Sequence, residues 1–315
     1  MPSARRALLA LSVVLALLLL GAVAVSWAPD RSVAELGARW APPPSQFIAL
    51  QGMQVHVRDE GPRDDAEPIV LIHGTSASLH TWEGWVAALK GTRRVISMDL
   101  PAFGLTGPAP DGDYSIERYV AFVLAVMDRL GVSQAVLGGN SLGGEIAWNV
   151  ALAAAPRVTR LILVDAGGFP LRPQSVPLGF RLARMPWVNS LMAHLLPRAL
   201  IEASVRNVFG EPGRVTPDLV DRYYELTLRT GNRAALPLRF ARIRGDDPGE
   251  RLRRIAIPVL ILWGGRDRLI PPADGTAFAA AIADSRLVVW DDLGHVPQEE
   301  DAGRTVAEVA RFLAR

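Results

Sequence analysis

Ala135-Val136-Leu137-Gly138-Gly139-Asn140-Ser141-Leu142-Gly143-Gly144-Glu145 is the stretch whose reading decides the fold. A short apolar run ends in Gly-x-Ser-x-Gly (Gly139, Ser141, Gly143) and passes directly into a helix-like segment at 145–155. That is the strand–turn–helix setting in which a serine stands exposed on a sharp turn, and it makes Ser141 the first candidate nucleophile. The glycines answer to crowding, because the chain must pass close to itself on either side of so strained a residue.

Outward from this turn, short apolar strands alternate with helical patterns. Strands are predicted at 47–50, 53–58, 69–72, 94–98 and 159–165, with helices at 79–89 and 115–130. The rhythm resumes with strands at 257–263 and 286–290, a helix at 273–283 and a terminal helix from residue 298 onward. Wholly apolar strands such as 69–72 belong in a sheet covered on both faces, so the fold class is α/β with a mostly parallel sheet. Between about 169 and 254 the rhythm breaks into a Pro- and Arg-rich segment with helical patterns at 189–208 and 217–230, which reads as an inserted helical cap. From Arg172 to Arg254 it holds fifteen arginines against eight acidic residues. Such an excess suits contact with anionic lipid headgroups, although the plainer reading is a solvated basic surface.

The 315 residues are half apolar, enough for a large core. The net charge is only +2, Lys90 is the only lysine, and no basic run is interleaved with aromatics, so nucleic acid is excluded as an expected partner. The absence of cysteine removes thiol catalysis, disulfides and thiolate metal sites together.

Residues 7–25 are apolar apart from Ser12 and Gly21 and follow Arg5 and Arg6. At ~1.5 Å per residue the run just reaches the ~30 Å hydrocarbon thickness of a bilayer, which favours a membrane anchor over residues 1–28. The alternative is a signal peptide cut near Ala22-Val23-Ala24 and a secreted product, although signal h-regions typically run only about 7–15 residues. In both cases the two arginines stay in the cytoplasm and the remainder is exported. Residues 29–45 read as a polar linker closing with Pro42-Pro43-Pro44, and 46–315 as the catalytic domain.

Three residues fall just beyond the C-terminal ends of different predicted strands: Ser141, Asp267 and His295. In an open parallel sheet the crevice outside those strand ends is where distant residues converge on a site. Asp165, Asp291 and Asp292 compete with Asp267 for the acidic place.

His73-Gly74, Asp99-Leu100-Pro101-x-Phe103-Gly104, Gly139-Asn140-Ser141-Leu142-Gly143-Gly144, Trp263-Gly264-Gly265-x-Asp267 and Gly294-His295-Val296-Pro297 occur in that order, and together they resemble the α/β-hydrolase family over about residues 47–315. The nearest likeness is to bacterial serine esterases and lipases, and to related hydrolases that cleave a carbon–carbon bond beside a ketone. The resemblance implies an eight-stranded sheet with a cap after the sixth strand. It also implies a triad of Ser141, Asp267 and His295 in the family's chain order, with oxyanion donors from the backbones of Leu142 and Thr75; Ser76 is a second possibility for the latter. His73 is expected to shape the oxyanion turn, Asp99 to cap its own turn, and His56, His80 and His194 to be structural. No His/Asp/Glu set shows metal-ligand spacing, so neither metal nor cofactor is expected.

The chemistry expected is hydrolysis of carboxylic esters of short to medium acyl chain through an acyl-enzyme on Ser141. One alternative is a carbon–carbon bond hydrolase of the meta-cleavage type. Members of that group usually carry a longer His-Gly-Ser-Gly-Pro-Gly turn where this chain has His73-Gly74-Thr75-Ser76-Ala77-Ser78. Another is a catalytically silent binding protein on the same fold. Phe180, Met185, Trp187, Leu191, Met192, Leu195 and Leu196 in the cap would suit an acyl chain or form the cap's own core.

Overall fold

The structure, a computed structural model, describes residues 2–170, 172–185, 194–243 and 245–314. The N-terminal apolar run forms helix α1 (Pro2–Ser26), whose 19-residue stretch Leu8–Ser26 is long and apolar enough to cross a membrane and is unburied among the described residues. The expected linker contains a second helix, α2 (Val33–Trp40). A capping box starts it: Ser32 Oγ accepts from the Glu35 N–H at 3.2 Å and Glu35 Oε2 accepts from the Ser32 N–H at 2.7 Å. The following Pro42–Pro44 segment is non-helical, as its prolines require.

Eight strands form one sheet in the order β1-β2-β4-β3-β5-β6-β7-β8. They are β1 (Gln46–Leu50), β2 (Met53–Glu60), β3 (Ile69–Ile72), β4 (Val95–Met98), β5 (Ala135–Asn140), β6 (Val158–Val164), β7 (Val259–Gly264) and β8 (Ser285–Trp290). β2 runs antiparallel to both β1 and β4; every other pairing is parallel. β3, β4, β5 and β7 are buried along their whole length, which explains why they lack alternation. β5 lies centrally between β3 and β6, with Gly139 paired to Ile72 on one side and Leu163 on the other. The three strands therefore end level, at the rim where the site forms.

Helices α3 (Glu83–Leu89), α4 (Ile116–Arg129) and α5 (Leu142–Ala153) connect the first strands. Between β6 and β7 stand α6 (Leu178–Ala183), α7 (Arg198–Val208), α8 (Pro217–Thr227), α9 (Asn232–Phe240) and the short α10 (Gly249–Leu252). This is the cap, after the sixth strand as the resemblance implies. Trp187, Leu191 and Met192, and the start of the helix expected at 189–208, lie outside the described residues. The chain closes with α11 (Pro272–Ala281), α12 (Pro297–Glu300) and α13 (Ala302–Leu313). One face of the sheet buries Tyr119, Trp148 and Phe278 from α4, α5 and α11. The other buries Trp85 and Phe312 from α3 and α13. The rim is thus carried on a sheet packed on both sides.

Candidate active site

The turn after β5 holds Ser141 at φ 56°, ψ −117°, a left-handed conformation that costs on the order of 1–3 kcal/mol for a non-glycine residue. Its neighbours hold it there: the Ser141 N–H donates to the Val164 carbonyl at 3.0 Å, and the Ser141 carbonyl accepts from Glu145 and Gly167 N–H groups at 3.0 and 2.9 Å. The crowding inferred from the glycines is present. A Cβ on Gly139 would fall 2.2 Å from the Gly143 carbonyl oxygen, and one on Gly143 would fall 2.0 Å from that of Ile72.

His295, in the loop after β8, directs Nδ1 to Asp267 Oδ2 at 2.6 Å, with both side chains buried. Asp267 follows β7, and its Oδ1 accepts from the Leu269 and Ile270 N–H groups at 2.8 and 3.0 Å. The Asp267 carboxylate is thereby fixed toward the imidazole, which assigns the proton to His295 Nδ1 and leaves Nε2 as the ring's free acceptor. Among the competing acids, Asp292 is spent on Arg304 at 2.5 Å. Asp165 does join the cluster: one ligand atom each from Asp165, Asp267 and His295 lie within 4.8 Å of one another. Sequence spacing gave no hint of this grouping, which has the form of a possible metal site. Here, however, His295 Nδ1 and both Asp267 oxygens are already engaged in hydrogen bonds.

Asp165 sits at φ 44° with Oδ1 accepting from the Gly264 N–H at 2.9 Å, while the buried Oδ2 has no donor. Burial first, and the neighbouring Asp267 charge second, push its carboxyl well above the usual range, so it carries a proton. A protonated Asp165 leaves the Asp267 carboxylate as the only negative charge of the pair.

Two further residues tie the site together without having been singled out from the sequence. Asn140 Nδ2 donates to the carbonyls of His295 at 2.9 Å and Val164 at 3.1 Å. Glu300 accepts from the Gly294 N–H at 2.7 Å and from the cap's Gly210 N–H at 2.8 Å. Asn140 occupies a variable place in Gly-x-Ser-x-Gly, and Glu300 stands in a helix with other acids; neither position signals its partner.

The His73-Gly74-Thr75 turn faces Ser141: a Cβ on Gly74 would fall 3.0 Å from the Ser141 Cβ. His73 Nδ1 donates to the Gly74 carbonyl at 2.7 Å and Nε2 accepts from the Leu100 N–H at 3.0 Å, a pattern that requires neutral imidazole. Burial lowers its pKa accordingly. Asp99 caps its turn, accepting from the Leu105 and Leu79 N–H groups at 2.7 Å each and from His56. Leu142 is the first residue of α5, where a backbone N–H has no intrahelical acceptor and carries the positive end of the helix dipole.

Ser141, His295, Thr75 and Ser76 line one cavity of about 610 Å³, whose remaining wall is largely apolar and drawn from the cap. Phe180, Leu196, Leu200, Ile201 and Phe240 contribute to it, so part of the cap's apolar supply faces the site. The cavity lies within the size range of small-molecule sites.

An α/β fold with a serine on this turn beside a His–Asp pair is the architecture of a hydrolase. Residues 67–302 match the family described as alpha/beta hydrolase fold, and the chain belongs to that family. It is 29% identical to the 2-hydroxymuconate semialdehyde hydrolase of Pseudomonas sp. (strain CF600), over 85% of this chain and 93% of the relative. Among solved structures, the enol-lactonase of Burkholderia xenovorans LB400 is 26% identical, with a TM-score of 0.70 over 85% of this chain and 100% of the other. A bacterial membrane phospholipase A shares the fold over 98% of both chains, with a TM-score of 0.71 at 22% identity.

Proposed function

We propose that this chain is a serine hydrolase that cleaves carboxylic esters through an acyl-enzyme on Ser141, with Asp267 and His295 completing the triad. The observation that carries the reading is the His295–Asp267 pair at 2.6 Å set beside the strained Ser141 in one apolar cavity. A serine hydroxyl is a weak nucleophile at neutral pH. As Ser141 Oγ bonds to the ester carbonyl carbon, its proton passes to His295 Nε2, and the imidazolium formed is stabilised by Asp267. The carbonyl oxygen becomes an oxyanion, held by the Leu142 and Thr75 N–H groups; each such donor typically contributes ~2.7–4 kcal/mol. When the carbon–oxygen bond to the alcohol breaks, His295 returns the proton to the leaving oxygen. Water then repeats the sequence on the acyl-enzyme and releases the acid and free Ser141.

Cleavage of a carbon–carbon bond is the second reading, favoured by the relationship to the 2-hydroxymuconate semialdehyde hydrolase. Ester cleavage is preferred on the lining of the cavity. Arg233 is paired with Asp30 and Arg184 lies over the Phe240 ring at 5.1 Å, and the rest of the wall drawn from the cap is mainly apolar, which suits an acyl group. The enol-lactonase likeness points the same way, since a lactone is a cyclic ester. In the same reading α1 anchors the chain, the catalytic domain from residue 46 is exported, and the cap over about 169–254 shapes substrate choice.

A nitrophenyl-ester panel of increasing acyl length, run beside a meta-cleavage substrate, tests the choice. Esters of short to medium chain should turn over, and Ser141→Ala and His295→Ala should each abolish the reaction. A higher kcat/KM for the meta-cleavage substrate would reverse the preference, and parental rates in Ser141→Ala would end the mechanism.

A further inference from the structure

We infer that the cavity receives the acyl chain of an ester lipid from the same bilayer that α1 crosses, so that the enzyme works on the lipids of its own membrane. This rests on the ester reading above and adds the source and class of substrate. The inference comes from how α1 joins the cap. No free spacer separates them. Ser26, the last residue of α1, accepts through its carbonyl from the Leu196 N–H at 2.8 Å, and the Ala28 N–H donates to the His194 carbonyl at 2.9 Å. Trp27 pairs with Leu195 in a short antiparallel bridge and stacks on His194 with ring centroids 5.8 Å apart. Farther on, Arg31 exchanges backbone hydrogen bonds with Leu228 and Thr230 at 2.7 and 2.9 Å, and Asp30 pairs with Arg233 at 3.1 Å.

These cap partners also build the cavity. Leu196, Leu200, Ile201 and Arg233 line it. Ala28 is buried against Leu196 and Leu228, with Leu200 and Ile201 packed on that cluster. The junction behind α1 and the wall of the cavity are therefore opposite sides of one layer of side chains. The Leu8–Ser26 stretch spans ~28 Å at 1.5 Å per residue, a match to the ~30 Å hydrocarbon core, and its apolar surface is not buried by any of the described residues. Trp27, 57% exposed at the end of that span, is of the type that settles at a membrane surface. Leu178, Met185 and Leu238 are also exposed on the cap, adjacent in sequence to the lining residues Pro177, Arg184 and Pro237. Such side chains are costly in water and at home against acyl chains. A lipid moving from the leaflet into the cavity exchanges one apolar setting for another and carries its ester linkage toward Ser141.

The test uses the full chain reconstituted in vesicles of phosphatidylcholine and phosphatidylglycerol. One acyl label is placed in the enzyme's own vesicles and a second in added enzyme-free vesicles, with nitrophenyl butyrate as the soluble substrate. Release from the enzyme's own vesicles should exceed release from the added ones by about tenfold or more, as tethering raises effective concentration. Trp27→Ala, which removes the exposed ring at the end of the span and its stack on His194, should lower release of the own-membrane label severalfold while soluble butyrate hydrolysis stays within about twofold. Equal release of the two labels, or butyrate hydrolysis with no lipid hydrolysis, would overturn the inference and leave the ester reading standing. Hydrolysis of neither substrate would overturn both. A Trp27→Ala variant that loses both activities in proportion would count against the junction's part in lipid entry, and same-vesicle preference in the parent would then decide alone.

Discussion

The amide of Asn140 donates to the main-chain carbonyl of His295 at 2.9 Å, so the residue before Ser141 holds the backbone of the histidine proposed as the base. Its second bond, to Val164 at 3.1 Å, ties both to the end of β6. Asn140→Ala should take the side-chain donor from the buried His295 carbonyl, at a cost of about 1–3 kcal/mol, while the Val164 carbonyl keeps the Ser141 N–H. Because the loss frees the His295 loop relative to Ser141, kcat for a soluble ester should fall by roughly tenfold to a hundredfold with KM little changed. Steady-state kinetics on folded variant checks this, and a change confined to KM would refute the assignment.

Asp165 offers a test by pH. Its carboxyl is held protonated by burial and by the Asp267 charge, so its pKa is higher in the folded chain than in the unfolded one. The unfolded chain loses that proton first, near the ordinary carboxylate value of about 4, whereas the folded chain keeps it. The group's contribution to stability is therefore fully present below that pH and is lost progressively as pH rises toward the folded pKa. Asp165→Asn cannot titrate and tolerates the positive φ. Its melting temperature relative to the parent should climb as the pH rises above about 4, with kcat near the parental value. A melting difference independent of pH would show that Asp165 is ionised in the folded chain.

What the sequence disclosed follows from how local each signal is. The turn at Ser141 was legible because its requirements are adjacent: an apolar run, glycines where 2.0–2.2 Å clashes would arise, and a helix beginning at Leu142. Asp267 needed its setting after β7 to stand out from Asp165, Asp291 and Asp292, and Asp165 proved a neighbour of the pair, not a bystander. The docking of 26–40 on the cap was not legible. The capping box at Ser32 is local, but the partners that turn a linker into a strut are Leu196, Glu225, Leu228 and Arg233, almost two hundred residues away. Trp40 Nε1, for example, donates to Glu225 at 2.6 Å, a pairing that no spacing rule anticipates.

Two glycine substitutions separate crowding from general sensitivity. A methyl group on Gly143 would meet the Ile72 and His73 carbonyl oxygens at 2.0 and 2.7 Å, both backbone atoms that cannot move aside. Gly143→Ala should therefore abolish activity or prevent folding. Gly91 has open space around its Cβ position and no positive φ, so Gly91→Ala should be neutral or stabilising by about 0.4–1 kcal/mol through the unfolded state. Thermal melts of both, with ester turnover, make the comparison. Retained activity in Gly143→Ala would require a different elbow geometry.

Glu300 and Glu299 are adjacent acids with separate duties, and that separation can be measured. Glu300 spans the Gly294 and Gly210 N–H groups at 2.7 and 2.8 Å, joining the His295 loop to the cap. Glu299 serves Tyr223 at 2.8 Å and Arg222, on the cap side alone. In Glu300→Gln the amide keeps one acceptor but turns its NH2 toward a second N–H, so one buried donor is left opposed, at a cost of about 1–3 kcal/mol. For a chain of this size that lowers the melting temperature by roughly 2–10 °C. Since Gly294 directly precedes His295, kcat should also fall, by about tenfold. Glu299→Gln should lower the melting temperature with kcat nearly unchanged. If the two variants lose kcat equally, Glu300 acts through general stability and has no special hold on the histidine.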